Sequence, residues 1–345
     1  MRLNRVSDEK IGILLVAFNE AGRIEKRIED LKGINKPNGK TTILIIDNGS
    51  SDKTSKVLHE IENDEGLKEK YRVLIDQIDD NRGYATAFNK GIKMLKDEKI
   101  DIVVTLSLKS KPDKEWLCQI KKAAFDNVGS LSFSGIELHC CKHEIVQVAG
   151  HCQEKSGALR VWGYGKKKKE CFENKSFEPF CACVVNAAFR MELFERIGLI
   201  DERYSQYYTC SDIGWRARIM IPEFECKFIP SAVSYLKERH SGFEIERRKN
   251  SIKRRERDCV ITLLKYVPEH ELDDALLQFH SRTRRSCIPR SLRKQIVDEV
   301  VENRNEWITG IYKELKDKEE EKMKVWKEWV VPKCSCKFLT RHNSG

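Results

Sequence analysis

No stretch of the chain approaches the roughly 20 consecutive apolar residues of a membrane-spanning helix. The opening MRLNRVSDEK has no apolar core of the kind a secretory leader carries, so the sequence reads as cytoplasmic. C-x-x-C spacing is absent, which removes the commonest zinc signature. The 13 cysteines are odd in number, so reduced thiols are the default for a cytoplasmic chain. The close pairs are Cys140-Cys141, Cys181-x-Cys183 and Cys334-x-Cys336. No internal repeat is present, which excludes a solenoid or propeller.

What is present suits a globular protein. The 345 residues can bury a full core, and 40% are hydrophobic against 34% charged. The net charge of +10 admits nucleic acid, an anionic membrane surface or phosphate-bearing substrates, and selects none of them. The basic run Arg247, Arg248, Lys249, Lys253, Arg254, Arg255 and Arg257 has no interleaved aromatics, which ranks nucleic acid last.

The most informative stretch is Ile43 to Thr54, ILIIDNGSSDKT. An aliphatic run stopped by Asp-Asn-Gly-Ser-Ser-Asp reads as a strand buried on both faces, then a tight loop and a helix. Such a loop lies at the carboxyl end of a parallel strand, where open α/β sheets bind ligands. There Asp47 either accepts hydrogen bonds from a base or ribose or merely shapes the turn. Further strands are expected at Ile11–Phe18, Tyr71–Ile75 and Ile100–Leu106, alternating with helices over Arg23–Leu31, from Lys53 to Ile61, and over Ala85–Leu95. This alternation predicts an α/β fold with a doubly wound, mostly parallel sheet and flanking helices. Phe189–Ile197, closed by Gly198, and Tyr207–Met220 read as helices, and Lys227–Pro230 with Ala232–Leu236 as a closing strand pair. His139, Cys140, Cys141, His143, His151 and Cys152 read either as a zinc group or as two strands joined by a turn. The apolar stripes Trp307/Ile311/Leu315 and Met323/Trp326/Val330 suit docking onto the protein's own core or contact with an anionic membrane surface.

Three loops at strand ends stand in order: Ala17-Phe18-Asn19-Glu20, Asp47-Asn48-Gly49-Ser50-Ser51-Asp52, and Asn81-Arg82-Gly83-Tyr84 with Asn89 and Gly91 following. In this ordered set the chain resembles the inverting glycosyltransferases of family 2, especially the rhamnosyltransferase-like branch. Phe189 to Phe194, Ile197 to Tyr204, Asp212-Ile213-Gly214-Trp215-Arg216-Ala217-Arg218 and Phe228 to Ala232 resemble later family segments. The resemblance runs from about Ile11 to Tyr266. It implies a GT-A domain over 8–243, leaving 244–345 as a basic, mainly helical C-terminal extension. It implies a nucleotide-diphosphate sugar as donor, a glycan or lipid-linked acceptor, and Mg2+ or Mn2+ as family cofactor. Asn19, Glu20, Asp47, Asn81 and Gly83 would line the nucleotide crevice.

The chain departs from the family pattern where the chemistry belongs. In place of the D-x-D metal motif stand Ser107-Leu108-Lys109 after Leu106, so no metal ligand is assigned. Lys109 then either neutralises the diphosphate directly or is a surface lysine. In place of E-D-x-D stand Thr209-Cys210-Ser211-Asp212, leaving Asp212 or Cys210 as candidate base. The usual histidine after the last strand is Leu236, with His240 nearby. Two readings follow: an inverting transferase of polysaccharide or glycoconjugate synthesis, or a catalytically degenerate homologue that binds nucleotide or sugar as a partner subunit.

Overall fold

The computed structural model describes residues 9–172, 177–236, 245–282 and 289–331. His240, the Cys334-x-Cys336 pair and the side chains of Arg247, Arg248 and Lys249 lie outside the described residues.

Strands β1 (Ile11–Ala17), β2 (Thr41–Asn48), β3 (Arg72–Ile78) and β4 (Ile102–Leu106) alternate with helices α1 (Ala21–Gly33), α2 (Thr54–Glu62), α3 (Glu65–Lys70) and α4 (Tyr84–Asp97). Next come β5 (Ser110–Pro112), α5 (Trp116–Asp126), the hairpin β6 (Ser132–His139) and β7 (Lys142–Val148), β8 (His151–Glu154), β9 (Leu159–Val161) and α6 (Lys168–Phe172). The sequence continues with β10 (Asn186–Arg190), α7 (Met191–Ile197), α8 (Thr209–Met220) and β11 (Cys226–Leu236). The C-terminal region holds α9 (Ile245–Tyr266), α10 (Glu269–Ser281), α11 (Arg290–Glu302), α12 (Arg304–Trp307), α13 (Ile311–Glu314), α14 (Glu319–Trp329) and β12 (Val330–Val331).

The main sheet has nine strands in the order β3-β2-β1-β4-β10-β6-β11-β5, with β7 beside β6. β1 to β4 are mutually parallel, and β6 and β11 run the same way as they do. β10 runs against β4 and β6, β5 against β11, and β7 against β6. The doubly wound, mostly parallel sheet read from the sequence is therefore present, with the antiparallel strands in its second half.

The aliphatic run of β2 explains the layering. Successive side chains of a strand point to opposite faces. Ile43 and Ile45 enter one hydrophobic core with α1 and α5, and Leu44 and Ile46 enter another with α4. Both faces are thus covered, and every residue of β2 is buried. The sheet and α4 approach so closely that a Cβ on Gly91 would come within 2.4 Å of Leu14 Cδ1. The family-like Asn89 fastens the same helix sideways. Its amide donates to Ile200 O at 2.8 Å and accepts from Ile200 N–H at 3.0 Å.

Two expectations are corrected. Phe189 and Arg190 belong to β10, and the helix begins at Met191. A short apolar run fits either period, and pairing with β4 and β6 decides for the strand. The expected strand pair at the end of the sheet is one strand, β11, whose register shifts between Phe228 and Val233. Pro230 lies in that irregular stretch, where no ladder donor is needed. One core joins Leu14, Leu44 and Phe88 to Val260, Tyr266, Trp326 and Val330. Leu315 and Trp326 of the C-terminal stripes are each 1% exposed and pack into that core. No helix of the described residues is long and apolar enough to cross a membrane.

Candidate functional site

The order β3-β2-β1-β4 places a topological switch between β1 and β4, and ligands bind outside the carboxyl ends of strands at such a point. A crevice of about 1190 Å³ opens there. One wall carries Val16, Phe18 and Glu20 from the end of β1, Asn48 from β2, and Asn81 and Gly83 after β3. Ser107 and Lys109 stand after β4, and the opposite wall includes His151, Cys183, Tyr207, Tyr208 and Cys210. α9 and its neighbours add Ser251, Arg254, Arg255 and Arg282.

The three strand-end loops are tied to one another by their own side chains. Asn19, at φ 52, accepts from the Ser51 N–H at 2.8 Å and the Asp52 N–H at 3.2 Å, while its own N–H donates to Ser50 Oγ at 2.9 Å. The Glu20 N–H donates to Thr54 Oγ1 at 3.0 Å, and the Glu20 carboxylate pairs with Arg23. Asn48 Nδ2 donates to Asn81 Oδ1 at 3.1 Å and to Gly83 O at 3.1 Å, and the Gly83 N–H donates to Asn81 Oδ1 at 3.0 Å. Gly49, at φ 72, lies against the backbone of Asp80 so closely that a Cβ would meet it at 2.5 Å. The family-like residues thus build a rigid rim.

Asp47 is fully buried and does not line the crevice. Its Oδ1 accepts from the Ser50 N–H at 3.1 Å and from the Ser50 hydroxyl, and its Oδ2 accepts from Ser55 Oγ at 3.3 Å. The carboxylate shapes the loop, and the loop faces the crevice.

Of the two candidate bases, only Cys210 lines the crevice. Two residues along a helix are about 200° apart, so Cys210 and Asp212 cannot share a face. Asp212 is 0% exposed. Its Oδ2 accepts from Arg216 Nη2 at 2.6 Å and Nε at 3.1 Å, and its Oδ1 accepts from the hydroxyls of Tyr266 and Tyr312, the latter at 2.9 Å. Both oxygens are committed to fastening α8 to α9 and α13, which leaves none for an acceptor. The Cys210 sulfur accepts from the Val184 N–H at 3.4 Å. A hydrogen bond from the Cys183 thiol draws the Cys210 thiol below its ordinary value, and that bond together with burial pushes Cys183 well above it.

The crevice is positively charged. Lys109, Arg160, Arg254, Arg255 and Arg282 line it, against Glu20 and Glu256. Glu256 is itself paired with Arg255 at 3.2 Å and Arg282 at 3.4 Å. The sequence reading took Arg254 and Arg255 as part of a basic run and overlooked Arg160 and Arg282. Hydrophobic periodicity carried the needed signal: Ile261 of α9 is a core residue, and Arg254, seven residues earlier, lies on the same face of the helix.

The hard cation implied by the family does not fit these residues. Mg2+ and Mn2+ take oxygen ligands. After β4 the chain offers Ser107 and an exposed Lys109, while the Leu108 carbonyl accepts from Arg27 Nη2 at 3.1 Å. Among the described residues, the side-chain groups that could hold an ion are His139/Cys140/Cys141 and His151/Cys183/Cys210, neither with a carboxylate. The first occupies the β6–β7 turn. His143 contacts the Cys140 carbonyl there, and the wider group expected from sequence is divided between that hairpin and β8.

Comparison with known proteins bears on this geometry. No curated protein matches the sequence. The solved structure of GalNAc-T7 with UDP, GalNAc and Mn2+ superposes with a TM-score of 0.61 at 13% identity, over 90% of this chain and 57% of that one. The chain thus spans little more than half of that protein. Mannosyltransferase PcManGT from Pyrobaculum calidifontis, in complex with GDP-Man and Mn2+, gives a TM-score of 0.49 at 13% identity, covering 95% of this chain and 93% of that one. S. aureus TarS 1–349 gives 0.49 at 13% identity, covering 92% and 91%. At such identity the first likeness speaks for the fold alone, and the other two carry no argument. The sequence profile of glycosyl transferase family 2 matches residues 13–198, which include the four parallel strands and the loops of the rim. On that match, over more than half its length, the chain belongs to glycosyl transferase family 2 and carries the family's domain on a GT-A fold.

Proposed function

We propose that the chain moves a glycosyl group from a nucleotide-diphosphate sugar to an acceptor hydroxyl with inversion, in the synthesis of a polysaccharide or glycoconjugate. The observation that carries this reading is the basic crevice at the carboxyl ends of β1 to β4, rimmed by Asn19, Glu20, Asn81 and Gly83. The nucleoside, taken by the family resemblance to be uridine or deoxythymidine, rests against the loops after β1, β2 and β3, with Asp47 acting through the loop it holds. The diphosphate faces Lys109 and the α9 arginines, whose cationic groups stabilise the leaving group without an oxygen-ligated ion. On this reading Cys210, which lines the crevice while Asp212 does not, takes the proton from the acceptor hydroxyl, a glycan or lipid-linked alcohol.

The full chain is incubated with nucleotide-diphosphate sugars, and binding, sugar release and transfer are read separately. Micromolar-to-millimolar binding of a uridine or deoxythymidine diphosphate with sugar release supports the proposal. Absence of binding to any nucleotide diphosphate by calorimetry overturns it. A second reading, a non-catalytic partner subunit, is favoured by the commitment of Asp212 to the fold, and it predicts binding with no release or transfer.

A further inference from the structure

The wall of the crevice opposite the nucleotide rim contains a donor set foreign to the family's hard-metal chemistry. His151 begins β8, Cys183 precedes β10, and Cys210 lies in the first turn of α8. One ring nitrogen and the two sulfurs lie within 4.8 Å of one another. Cys183 and Cys210 are 7% and 6% exposed. His151 Nδ1 is buried and has no hydrogen-bond partner among the described residues.

The three donors come from segments fixed independently. The His151 N–H donates to Cys181 O at 3.1 Å and the Phe180 N–H to His151 O at 2.8 Å, which locks β8 beside the chain leading to Cys183. The Ser107 N–H donates to Val185 O at 2.9 Å, so the Cys183 segment runs alongside the end of β4. The group therefore stands next to the position from which the family's metal ligands would project.

We propose that His151, Cys183 and Cys210 bind a thiophilic divalent cation, Zn2+ by their chemistry, with the fourth coordination position open to the crevice. Tetrahedral zinc with sulfur at about 2.3 Å and nitrogen at about 2.0 Å separates its ligands by about 3.5–3.8 Å, so a spacing within 4.8 Å closes by at most about 1.3 Å. Two thiolates and one imidazole with a free fourth place is the donor count of an open zinc site, whereas structural zinc takes four protein ligands. Loading releases the two thiol protons to solvent, so affinity rises with pH. Cys210 cannot ligate the ion and accept a proton from an acceptor at once. Metal loading and the base role proposed for it therefore exclude each other, but the site itself stands whether or not the crevice transfers sugar.

The test uses reduced, metal-stripped full-length protein, titrated with Zn2+ against a chromophoric chelator and with Co2+ followed by absorption. The wild type is expected to show thiolate-to-cobalt charge transfer and, when zinc-loaded, two sulfur neighbours by X-ray absorption. His151→Ala, Cys183→Ser and Cys210→Ser are each expected to weaken binding by at least the roughly 10–100-fold that even a supporting residue costs. Cys141→Ser, in the exposed hairpin, is expected to bind as the wild type does. A wild type without the cobalt–thiolate band, or zinc with only nitrogen and oxygen neighbours, overturns the proposal without recourse to any variant. Binding that survives Cys183→Ser, or is lost in Cys141→Ser, overturns it equally by moving the ion elsewhere.

Discussion

Replacing Asp212 with alanine separates its two readings, catalytic base and structural junction. The carboxylate and the Arg216 guanidinium are both 0% exposed, and the Arg216 side chain also donates to the carbonyls of Ile197 and Gly198. Removing one partner of a buried ion pair costs about 3–5 kcal/mol, because the other charge stays buried. The hydroxyls of Tyr266 and Tyr312 lose their acceptor as well, at roughly 1–3 kcal/mol each where water cannot enter. These losses share one network and do not add, so a total near 5 kcal/mol is expected. With a urea slope of about 2–3 kcal/mol/M, the unfolding midpoint falls by roughly 2 M. Tryptophan fluorescence is a suitable probe, since Trp215 stacks on Tyr266 with centroids 5.6 Å apart. Cys210→Ser, on the other side of α8, is expected to lower the midpoint of the metal-stripped protein far less than Asp212→Ala does. If Asp212→Ala unfolds at the wild-type midpoint while abolishing sugar transfer, the junction argument is refuted and Asp212 is the base.

Other outcomes can be measured on the same protein. Burial works to raise the Asp201 carboxyl, but hydrogen bonding to Arg203 and the nearby Lys265 ammonium outweigh it and hold the group at about 2, against 3.8 unperturbed. That stability is present above pH 3.8 and lost as pH falls toward 2, so Asp201→Asn should be less stable at pH 6 and lose less on acidification, read by urea titration at each pH. Nucleotide-diphosphate binding should be insensitive to Mg2+, Mn2+ or chelator and should weaken in Lys109→Ala, with the loss shrinking at high salt; calorimetry showing a strict Mn2+ requirement and an unchanged Lys109→Ala would sink the direct-charge reading. Asp47→Ala should weaken the same binding about tenfold, an effect worth roughly 1.4 kcal/mol, by releasing the loop at Ser50. Gly91→Val drives a side chain into Leu14 and should lose about 1–3 kcal/mol, visible as a lower thermal midpoint.

How far the sequence reveals this protein depends on the range of the interaction. The four parallel strands and their turns were legible because each is a local pattern: an aliphatic run, a break, then helical spacing. β10 and α7 were not separable, since Ala187, Ala188, Phe189, Met191, Leu193 and Phe194 satisfy both periods and only pairing partners resolve them. Cys210 and Asp212 stand two residues apart in one segment, but which one faces the crevice depends on what packs against α8. Tyr266 and Tyr312, which occupy Asp212, are 54 and 100 residues away. The thiol–imidazole group shows the same limit. His139, Cys140 and Cys141 are adjacent in sequence and sit in a turn, whereas His151, Cys183 and Cys210 meet only after the sheet has formed.

The single core that joins the first strand to the last helix also sets the order in which a nascent chain can finish folding. The core beneath α1 and α5 draws only on residues between Ile11 and Ala232 and can close while synthesis continues. Helix α8 has no such independence. Trp215 waits for Tyr266, Arg218 lies 3.3 Å from the ring centre of Trp329, and β8 gains its second neighbour only when Val330 and Val331 arrive. Until the C-terminal helices emerge from the ribosome, the apolar flank of α8 stays uncovered and open to wrong partners. A chain cut short before α14 would keep the residues of its nucleotide rim yet lack the cover that Trp329 gives Arg218 of α8.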